Sequence, residues 1–338
     1  MFGKLTPRVV AAWVLALCFA VAPSSAAPQG KEKKKAKKPD PTGAPVLWRE
    51  PADIARRDLF NGPGGEALRP DLRKITFIEQ ETGGFSTKYR VRDAAGRVWV
   101  AKVGPEAQSE TAAVRLVWGV GYATEINYLA PCVRIEGAPQ ASDKLPRCGD
   151  GGFANVRFEA RPEEFDRLDE WRWDENPFKD TKELKGLVVL MALLNNWDLK
   201  DSNNKVIYVP ANGGELHYVV SDLGATFGKT GSLPLFWRIT RSRNNPEDYA
   251  KASFIEDVKD GQVYFRYGGK NQDLFDDIQL EEAQWIGRLL SRLSDKQISD
   301  AFRAANYSAE DVRLLTEAVR SRIDELAELG RPTAARTR

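Results

Sequence analysis

The chain has 338 residues, of which 42% are hydrophobic and 29% are charged, and its net charge is +2. These values are ordinary for a soluble globular protein, long enough for one large domain or two lobes, and the nine Trp argue against disorder. The basic residues are concentrated near the start, which leaves a remainder with a net charge of −5 and argues against nucleic acid as the main partner.

The start of the chain has the pattern of a signal peptide. Lys4 and Arg8 precede an apolar run at 9–22, and small residues follow with a cleavage site near Ala26 or Ala27. The run is shorter than the roughly 20 residues that cross a bilayer. We therefore expect an exported protein, periplasmic or extracellular, without a stable membrane span; a membrane anchor is the alternative.

Cysteine usage agrees with export. Cleavage would remove Cys18 and leave Cys132 and Cys148 as a pair. In an oxidising compartment a disulfide between them would contribute roughly 3 kcal/mol. Two reduced, buried thiols are the alternative.

The first half of the chain predicts mainly strands. A Lys- and Pro-rich linker at 28–46 precedes a short helix at 52–60 and an extended loop. Strands are then predicted at 75–79, 85–93 and 97–103, followed by a helix from Ser109 to Val120 with Gly121 at its end.

The second half predicts mainly helices. An apolar helix at 181–195 should be buried, because its apolar residues cover most of its circumference. Strands at 205–209 and 216–220 form a hairpin, and helices follow at 281–293, 294–305 and 308–329. The predicted fold class is α+β, with a β-rich N-lobe and a mainly helical C-lobe. The predicted boundaries are a signal peptide at 1–27, a disordered linker at 28–46, an N-lobe with its extension at 47–135, a C-lobe at 136–330 and a disordered tail at 331–338.

A polar loop after the buried helix is the main chemical motif. It places Asp198 and Asn203 five residues apart, and Asp222 follows after the hairpin in the sequence Asp-Leu-Gly. Phosphoryl transfer uses one carboxylate to orient a hydroxyl, and an amide oxygen with a second carboxylate to hold magnesium. The alternative is that these are ordinary loop and turn residues.

The motif resembles the protein kinases. Residues 198–203 resemble their D-L-K-x-x-N catalytic loop, and 222–224 resemble their D-F-G. The resemblance implies a two-lobed kinase-like fold that binds ATP with Mg or Mn. It implies catalytic roles for Asp198 and Lys200, and metal binding by Asn203 and Asp222.

The predicted N-lobe supports this resemblance. Val100-Ala101-Lys102 lies late in the third strand, like the V-A-x-K lysine of kinases, and Lys102 would bind the phosphates. Glu110 is the expected partner of Lys102, with Glu106 and Glu125 as alternatives. Gly83 and Gly84 lie in the turn between the first two strands, where kinases have a Gly-rich loop, although an ordinary hairpin turn is an alternative.

The chain also departs from ordinary protein kinases. Asn196-Trp197 stands where they have His-Arg, no A-P-E segment follows Asp222, and the gap from Lys102 to Glu110 is short. These features resemble the atypical branches, namely HipA-type bacterial kinases and secretory-pathway kinases. The whole chain also resembles a family of exported bacterial proteins.

Other chemistries have less support. His217 is the only His and lies in a strand, which argues against Ser-His-Asp and Cys-His hydrolysis. The acidic run at 166–175 is interpreted as a solvated insert between the lobes.

The sequence thus predicts a phosphotransferase that uses ATP and a divalent metal on a protein or a small hydroxyl acceptor. A catalytically inactive kinase-like module of the cell envelope is the alternative, because an exported protein meets little ATP. Nucleotidyl transfer on the same fold is a third possibility, and the acceptor and oligomeric state are not specified by the sequence.

Overall fold

The computed structural model describes residues 40–83, 86–139, 145–231 and 240–330. The predicted signal peptide, most of the predicted linker and the predicted C-terminal tail lie outside these residues. In the parts of the chain that are described, no helix is both long and apolar enough to cross a membrane.

The strands and helices are numbered in chain order. The strands are β1 (Ala44–Val46), β2 (Ile75–Glu81), β3 (Thr87–Arg92), β4 (Val98–Val103), β5 (Asn127–Val133), β6 (Ile135–Glu136), β7 (Phe153–Ala160), β8 (Asp166–Arg167), β9 (Asn204–Val209), β10 (Glu215–Val220), β11 (Ile255–Lys259) and β12 (Gln262–Phe265). The helices are α1 (Glu106–Gly119), α2 (Lys182–Leu193), α3 (Pro246–Lys251), α4 (Leu280–Leu290), α5 (Asp295–Ala304) and α6 (Ala309–Glu328). The predicted α+β class, with a β-rich first part and a mainly helical second part, is confirmed.

A six-stranded sheet forms the first part, in the order β5-β7-β4-β3-β2-β6. All neighbours are antiparallel except β2 and β6. Side chains alternate across a strand, so Trp99, Ala101 and Val103 of β4 enter one apolar cluster, while Lys102 points to the opposite face. Because β7 pairs with β4, this sheet extends to Ala160, past the predicted lobe boundary at residue 135.

The helix α1 begins at Glu106, three residues before the predicted start at Ser109. Gly104 has a φ of +145°, a conformation that glycine tolerates, and it lets the chain turn from β4 into the helix. The Ser109 hydroxyl donates to the backbone oxygens of Glu106 and Gly224 instead of capping the helix. The earlier start adds Glu106 to the same helix as Glu110.

The second part is built around the buried helix α2. Thr181 caps its N-terminus by accepting from the Leu184 N–H, and its apolar side chains join a large cluster with α4, α5 and α6. Ser294 and Ser308 likewise cap the N-termini of α5 and α6. The predicted hairpin is formed by β9 and β10, and β1 and β8 extend it to a four-stranded sheet.

Two local predictions are wrong, the second only in part. The helix predicted at 52–60 is only a 3-10 turn at Ile54–Arg56, because Asp53 makes no capping hydrogen bond and Ile54 and Leu59 are instead anchored in the core. The acidic run at 166–175 is solvated as predicted, because its acidic side chains are exposed, but it is not a separate insert. It begins with strand β8, and the burial of Trp171 and Trp173 fixes it against the hairpin sheet.

A disulfide joins Cys132, near the end of β5, to Cys148, just before β7. The sequence allows either a disulfide or two reduced thiols at this pair, and the structure contains the disulfide. It closes the loop between two neighbouring strands of the six-stranded sheet.

Candidate functional site

Lys102 is the central cation of a polar cluster on the inner face of β4. Its side chain is 3% exposed, and its Nζ lies 2.8 Å from Glu110 Oε2 and 3.1 Å from Glu106 Oε2. Both carboxylates come from α1, which follows β4 after a tight turn. The structure therefore brings Lys102 to the expected partner, Glu110, and also to one of the two alternatives, Glu106.

The charge of Lys102 is maintained by its neighbours. Burial disfavours the ammonium, but the carboxylates of Glu110 and Asp222 outweigh burial and raise the pKa of Lys102. A charged ammonium at this position is suited to binding an anionic group that enters the cluster.

Asp222 lies on the other side of Lys102, with its Oδ1 3.7 Å from Nζ. The Gly224 N–H donates to Asp222 Oδ1 at 3.0 Å. Burial alone would raise the pKa of Asp222, but Lys102 and this hydrogen bond outweigh it and lower the pKa, so the carboxylate stays ionised. Its side chain retains 40% exposure. Asp222 is therefore both charged and accessible to a ligand.

Gly224 is required by its close contact with α1. A Cβ at this position would lie 2.7 Å from the Cβ of Glu106, closer than side-chain atoms pack. The Asp-Leu-Gly turn can therefore lie directly against the helix that carries Glu110. This contact explains the glycine of the motif in physical terms.

The polar loop between α2 and β9 supplies the remaining predicted residues. Asn203 Nδ2 donates to the backbone oxygen of Asp198 at 2.5 Å, which closes the loop on itself. Lys200 Nζ lies 2.9 Å from Asp198 Oδ2 and is half exposed. The Asn203 backbone oxygen also accepts from the Asp222 N–H at 3.1 Å, which holds the two predicted metal ligands side by side.

These side chains line one cavity of about 590 Å³. The predicted site residues that line it are Lys102, Glu110, Asp198, Lys200, Asn203 and Asp222. The structure therefore collects residues from β4, α1, the polar loop and the Asp-Leu-Gly turn around one polar space.

The glycine turn is the part of the prediction that is not brought to this cavity. Gly83 is exposed and does not line it, and Gly84 lies outside the described residues. The next described residue, Ser86, is buried and donates to Glu106 Oε2 at 2.6 Å. The turn is thus connected to the cluster through Ser86.

Sequence reasoning missed Arg157 as a member of this cluster. Arg157 lies on β7 directly opposite Lys102, and its guanidinium is 2.8 Å from Glu110 and 2.7 Å from Glu159. It lines the cavity and is buried. Nothing local in the sequence marks it, because its position depends on the pairing of two strands that are more than fifty residues apart.

Arg243 is a second residue that was not foreseen. Its guanidinium forms an ion pair with Glu106 and packs 4.7 Å from the Trp197 ring. It lies after the Asp-Leu-Gly turn, so it connects the segment that follows the motif to α1.

The residues present fit a divalent metal ion whose coordination shell is completed by phosphates and water. Asn203 uses its amide nitrogen on Asp198, which leaves its side-chain oxygen without a hydrogen bond to the described residues, beside the ionised Asp222. Hard oxygens of this kind suit magnesium, which commonly takes one or two carboxylates and completes its shell with phosphates and water. Within the described residues no group of three or more His, Cys, Asp or Glu could hold a metal alone.

No protein-family model matches the chain, and no curated protein matches it in sequence. Several solved structures are similar to it, among them two kinases. One is the Helicobacter pylori proinflammatory kinase CtkA, at 13% identity and a TM-score of 0.40 over 75% of this chain and 93% of that chain. The other is the Golgi casein kinase, at 9% identity and a TM-score of 0.31 over 75% and 74% of the two chains. These likenesses are too distant to assign roles to individual residues.

Proposed function

We propose that the protein is a phosphotransferase that uses ATP and a divalent metal ion to phosphorylate a hydroxyl group of a protein or a small molecule. One observation supports this most strongly. The ammonium of buried Lys102 is held between Glu110 and Asp222 in the cavity that also contains Asp198 and Asn203. A charged lysine, an accessible carboxylate and an amide oxygen are the groups that phosphate and magnesium require.

Each side chain has a distinct role in this proposal. Lys102 would bind the phosphates, and Glu110 holds its ammonium in place. Asn203 and Asp222 would hold the metal. Bound ATP would supply its terminal phosphoryl group and leave as ADP when the bond to the β-phosphate oxygen breaks, and the metal would offset negative charge on the phosphates.

Asp198 would position the acceptor. Its Oδ2 already lies near Lys200 and Asn203, and these contacts fix the carboxylate relative to the cavity. The acceptor hydroxyl would donate its hydrogen bond to Asp198, which takes up the proton as the hydroxyl attacks. Lys200 would stabilise the negative charge close to this point.

Export is part of the proposal. The predicted signal peptide and the disulfide between Cys132 and Cys148 both fit an oxidising compartment. The activity would then depend on nucleotide that reaches the periplasm or the exterior.

The experiment is a thermal shift of the purified protein with ATP and Mg²⁺ or Mn²⁺, beside Asp222→Asn. A ligand that binds only the folded state at 100 times its Kd adds about 2.7 kcal/mol. We expect a metal-dependent rise in Tm that Asp222→Asn abolishes. Asp201→Asn is the matched control, because Asp201 lies in the same loop but accepts from the Trp173 N–H and does not line the cavity. No rise with any nucleotide and metal would refute the proposal.

A further inference from the structure

A second cavity, of about 310 Å³, lies beside the end of α1, the segment after β7 and the hairpin of β9 and β10. Most of the side chains that line it are apolar; six of them are Val46, Trp118, Tyr122, Ile126, Phe165 and Val219. Its volume is at the lower end of the range for small-molecule sites, roughly 300–1,000 Å³. Of the described residues named from the kinase resemblance, Glu125, an alternative partner of Lys102, is the one that lines it.

Glu125 places a carboxylate in the wall of this cavity. It is 5% exposed, and its Oε1 accepts from the Arg167 guanidinium and from the Ser221 hydroxyl at 2.7 Å. Its Oε2 is buried and accepts no hydrogen bond from any of the described residues. A buried acceptor without a donor is rare in folded proteins, because it has lost its hydration without replacement.

Thr124 adds a second polar atom to the same wall. Its hydroxyl oxygen is buried and has no hydrogen-bond partner within the described ranges. Adjacent residues thus leave two polar atoms unsatisfied at one apolar cavity. This combination of a few polar groups in an apolar pocket is typical of a ligand site.

The charges around the cavity restrict the ligand. Burial alone would raise the pKa of Glu125, but Arg167 and Arg161 outweigh it and lower the pKa, so the carboxylate can only accept hydrogen bonds. Arg161, Arg167, Arg49 and Arg57 all line the cavity. Arg49 pairs with Glu215, and Arg161 and Arg167 pair with Glu159, which lies outside the lining. The guanidinium groups in the lining still outnumber its one carboxylate, which disfavours a cationic ligand.

We propose that this cavity binds a small uncharged molecule with an apolar body and one hydroxyl or amide N–H group, which donates its hydrogen bond to Glu125 Oε2. The Thr124 hydroxyl provides a second polar contact, and the apolar side chains enclose the body of the ligand. The ligand therefore combines one hydrogen-bond donor with one or two rings or a short alkyl chain.

This site goes beyond the proposed phosphotransferase activity. Glu125 and Thr124 do not line the cavity that contains Lys102 and Asp222. The test below contains no nucleotide or metal, so its outcome is separate from the outcome of the ATP experiment.

The test measures the binding of 2-phenylethanol by ligand-observed NMR and calorimetry, beside its methyl ether. The two probes share an apolar body, but the ether has no donor. We expect the alcohol to bind about tenfold more tightly than the ether, because a hydrogen bond to a charged acceptor contributes a free energy of about that size. We expect 2-phenylethylamine to bind more weakly than the alcohol, because of the guanidinium groups.

Two variants block the cavity from different elements. Ala123→Leu fills it from the segment after α1, and Val209→Phe fills it from the end of β9. Both should abolish alcohol binding, while Val258→Phe, on the exposed strand β11, should leave it unchanged. The use of two blocking variants keeps the test valid if one of them fails to fold.

Four results would overturn the proposal. Equal affinity for the alcohol and the ether would show that no hydrogen bond to Glu125 contributes to binding. Tighter binding of the amine than of the alcohol would contradict the preference for an uncharged ligand. If the wild-type protein does not bind the alcohol, the cavity is not a ligand site. If a folded blocking variant still binds it, the alcohol binds elsewhere.

Discussion

The guanidinium of Arg322, near the end of α6, donates to the side-chain oxygen of Asn195 at 3.0 Å. The nitrogen that makes this bond, Nη1, also donates to the backbone oxygen of Leu193 at 2.7 Å, where α2 ends. The second terminal nitrogen, Nη2, donates to the backbone oxygens of Tyr249 and Ala252. One buried side chain of the last helix therefore holds the start of the loop that carries Asp198, three residues further along the chain.

Arg322→Met should lower the free energy of unfolding by about 3 kcal/mol, because it leaves several buried acceptors without donors. Arg322→Lys should lower it by less, since the ammonium retains the charge but cannot reach all four acceptors. Urea unfolding followed by circular dichroism measures both changes.

Arg313→Met is the control for this prediction. Arg313 is on the same helix, but its ion pair with Glu317 is exposed, so the change should stay within about 0.5 kcal/mol. An Arg322→Met midpoint as high as that of Arg313→Met would contradict a bracing role for Arg322.

Local patterns predicted the site residues that lie close together in sequence. The strand containing Lys102 and the helix containing Glu110 are adjacent, so their contact follows from a tight turn between them. Asn203 and Asp198 are likewise five residues apart in one loop. For such neighbours, the side-chain periodicity of the strand or helix and the turn that joins the segments determine which side chains meet.

The residues that were missed depend on contacts between distant segments. Arg157 reaches Glu110 only because β7 pairs with β4. Arg322 reaches Asn195 only because the packing of α6 against α3 and α4 places it at the end of α2. A strand register or a helix crossing is determined by the whole core, which a local pattern does not contain. The helix predicted at 52–60 failed for the same reason, because burial of two side chains outweighed the local propensity.

Asp198→Asn should separate binding from turnover at the proposed site. The substitution keeps the backbone oxygen that Asn203 uses, so the loop should retain its shape and the nucleotide-induced rise in Tm should persist. Loss of the carboxylate that takes up the proton should slow phosphoryl transfer by about a hundredfold or more. Transfer is measured as phosphate incorporated into acceptor hydroxyls from labelled ATP.

Asp201→Asn serves again as the control and should keep both binding and turnover. If Asp198→Asn transfers phosphate as fast as the wild type, the role of Asp198 is wrong. If the wild type binds ATP but transfers nothing to a broad set of protein and small hydroxyl acceptors, the inactive kinase-like module replaces the phosphotransferase.

Removal of the disulfide should destabilise the fold by about 3 kcal/mol, as expected when a loop of about 15 residues is no longer closed in the unfolded chain. The change is Cys132→Ser combined with Cys148→Ser, whose positions are 16 residues apart. Urea unfolding with and without dithiothreitol measures the effect. The wild type should lose stability when reduced, and the double variant should be insensitive to reductant. A wild-type midpoint that reductant does not change would contradict this prediction.

Glu215 should make the fold sensitive to acid. Hydrogen bonds from Arg49 and His217 are the main causes that lower the pKa of Glu215 from its usual 4.5 to about 2. A carboxyl group whose pKa is lower in the folded state contributes stability above its unfolded pKa and loses that contribution as the pH falls. The stability difference between the wild type and Glu215→Gln should therefore be constant above about pH 5 and shrink between pH 4.5 and 2.

Urea unfolding of both proteins across this pH range measures the difference. The physical reason is local, because Glu215 begins β10 and its ion pair with Arg49 attaches the segment after β1 to the hairpin. Glu247→Gln, at the exposed ion pair with Lys251 on α3, is the control and should differ little from the wild type at any pH. A wild-type advantage over Glu215→Gln that grows as the pH falls would show that the predicted sign of the pH dependence is wrong. The Glu215 carboxylate would then destabilise the folded state.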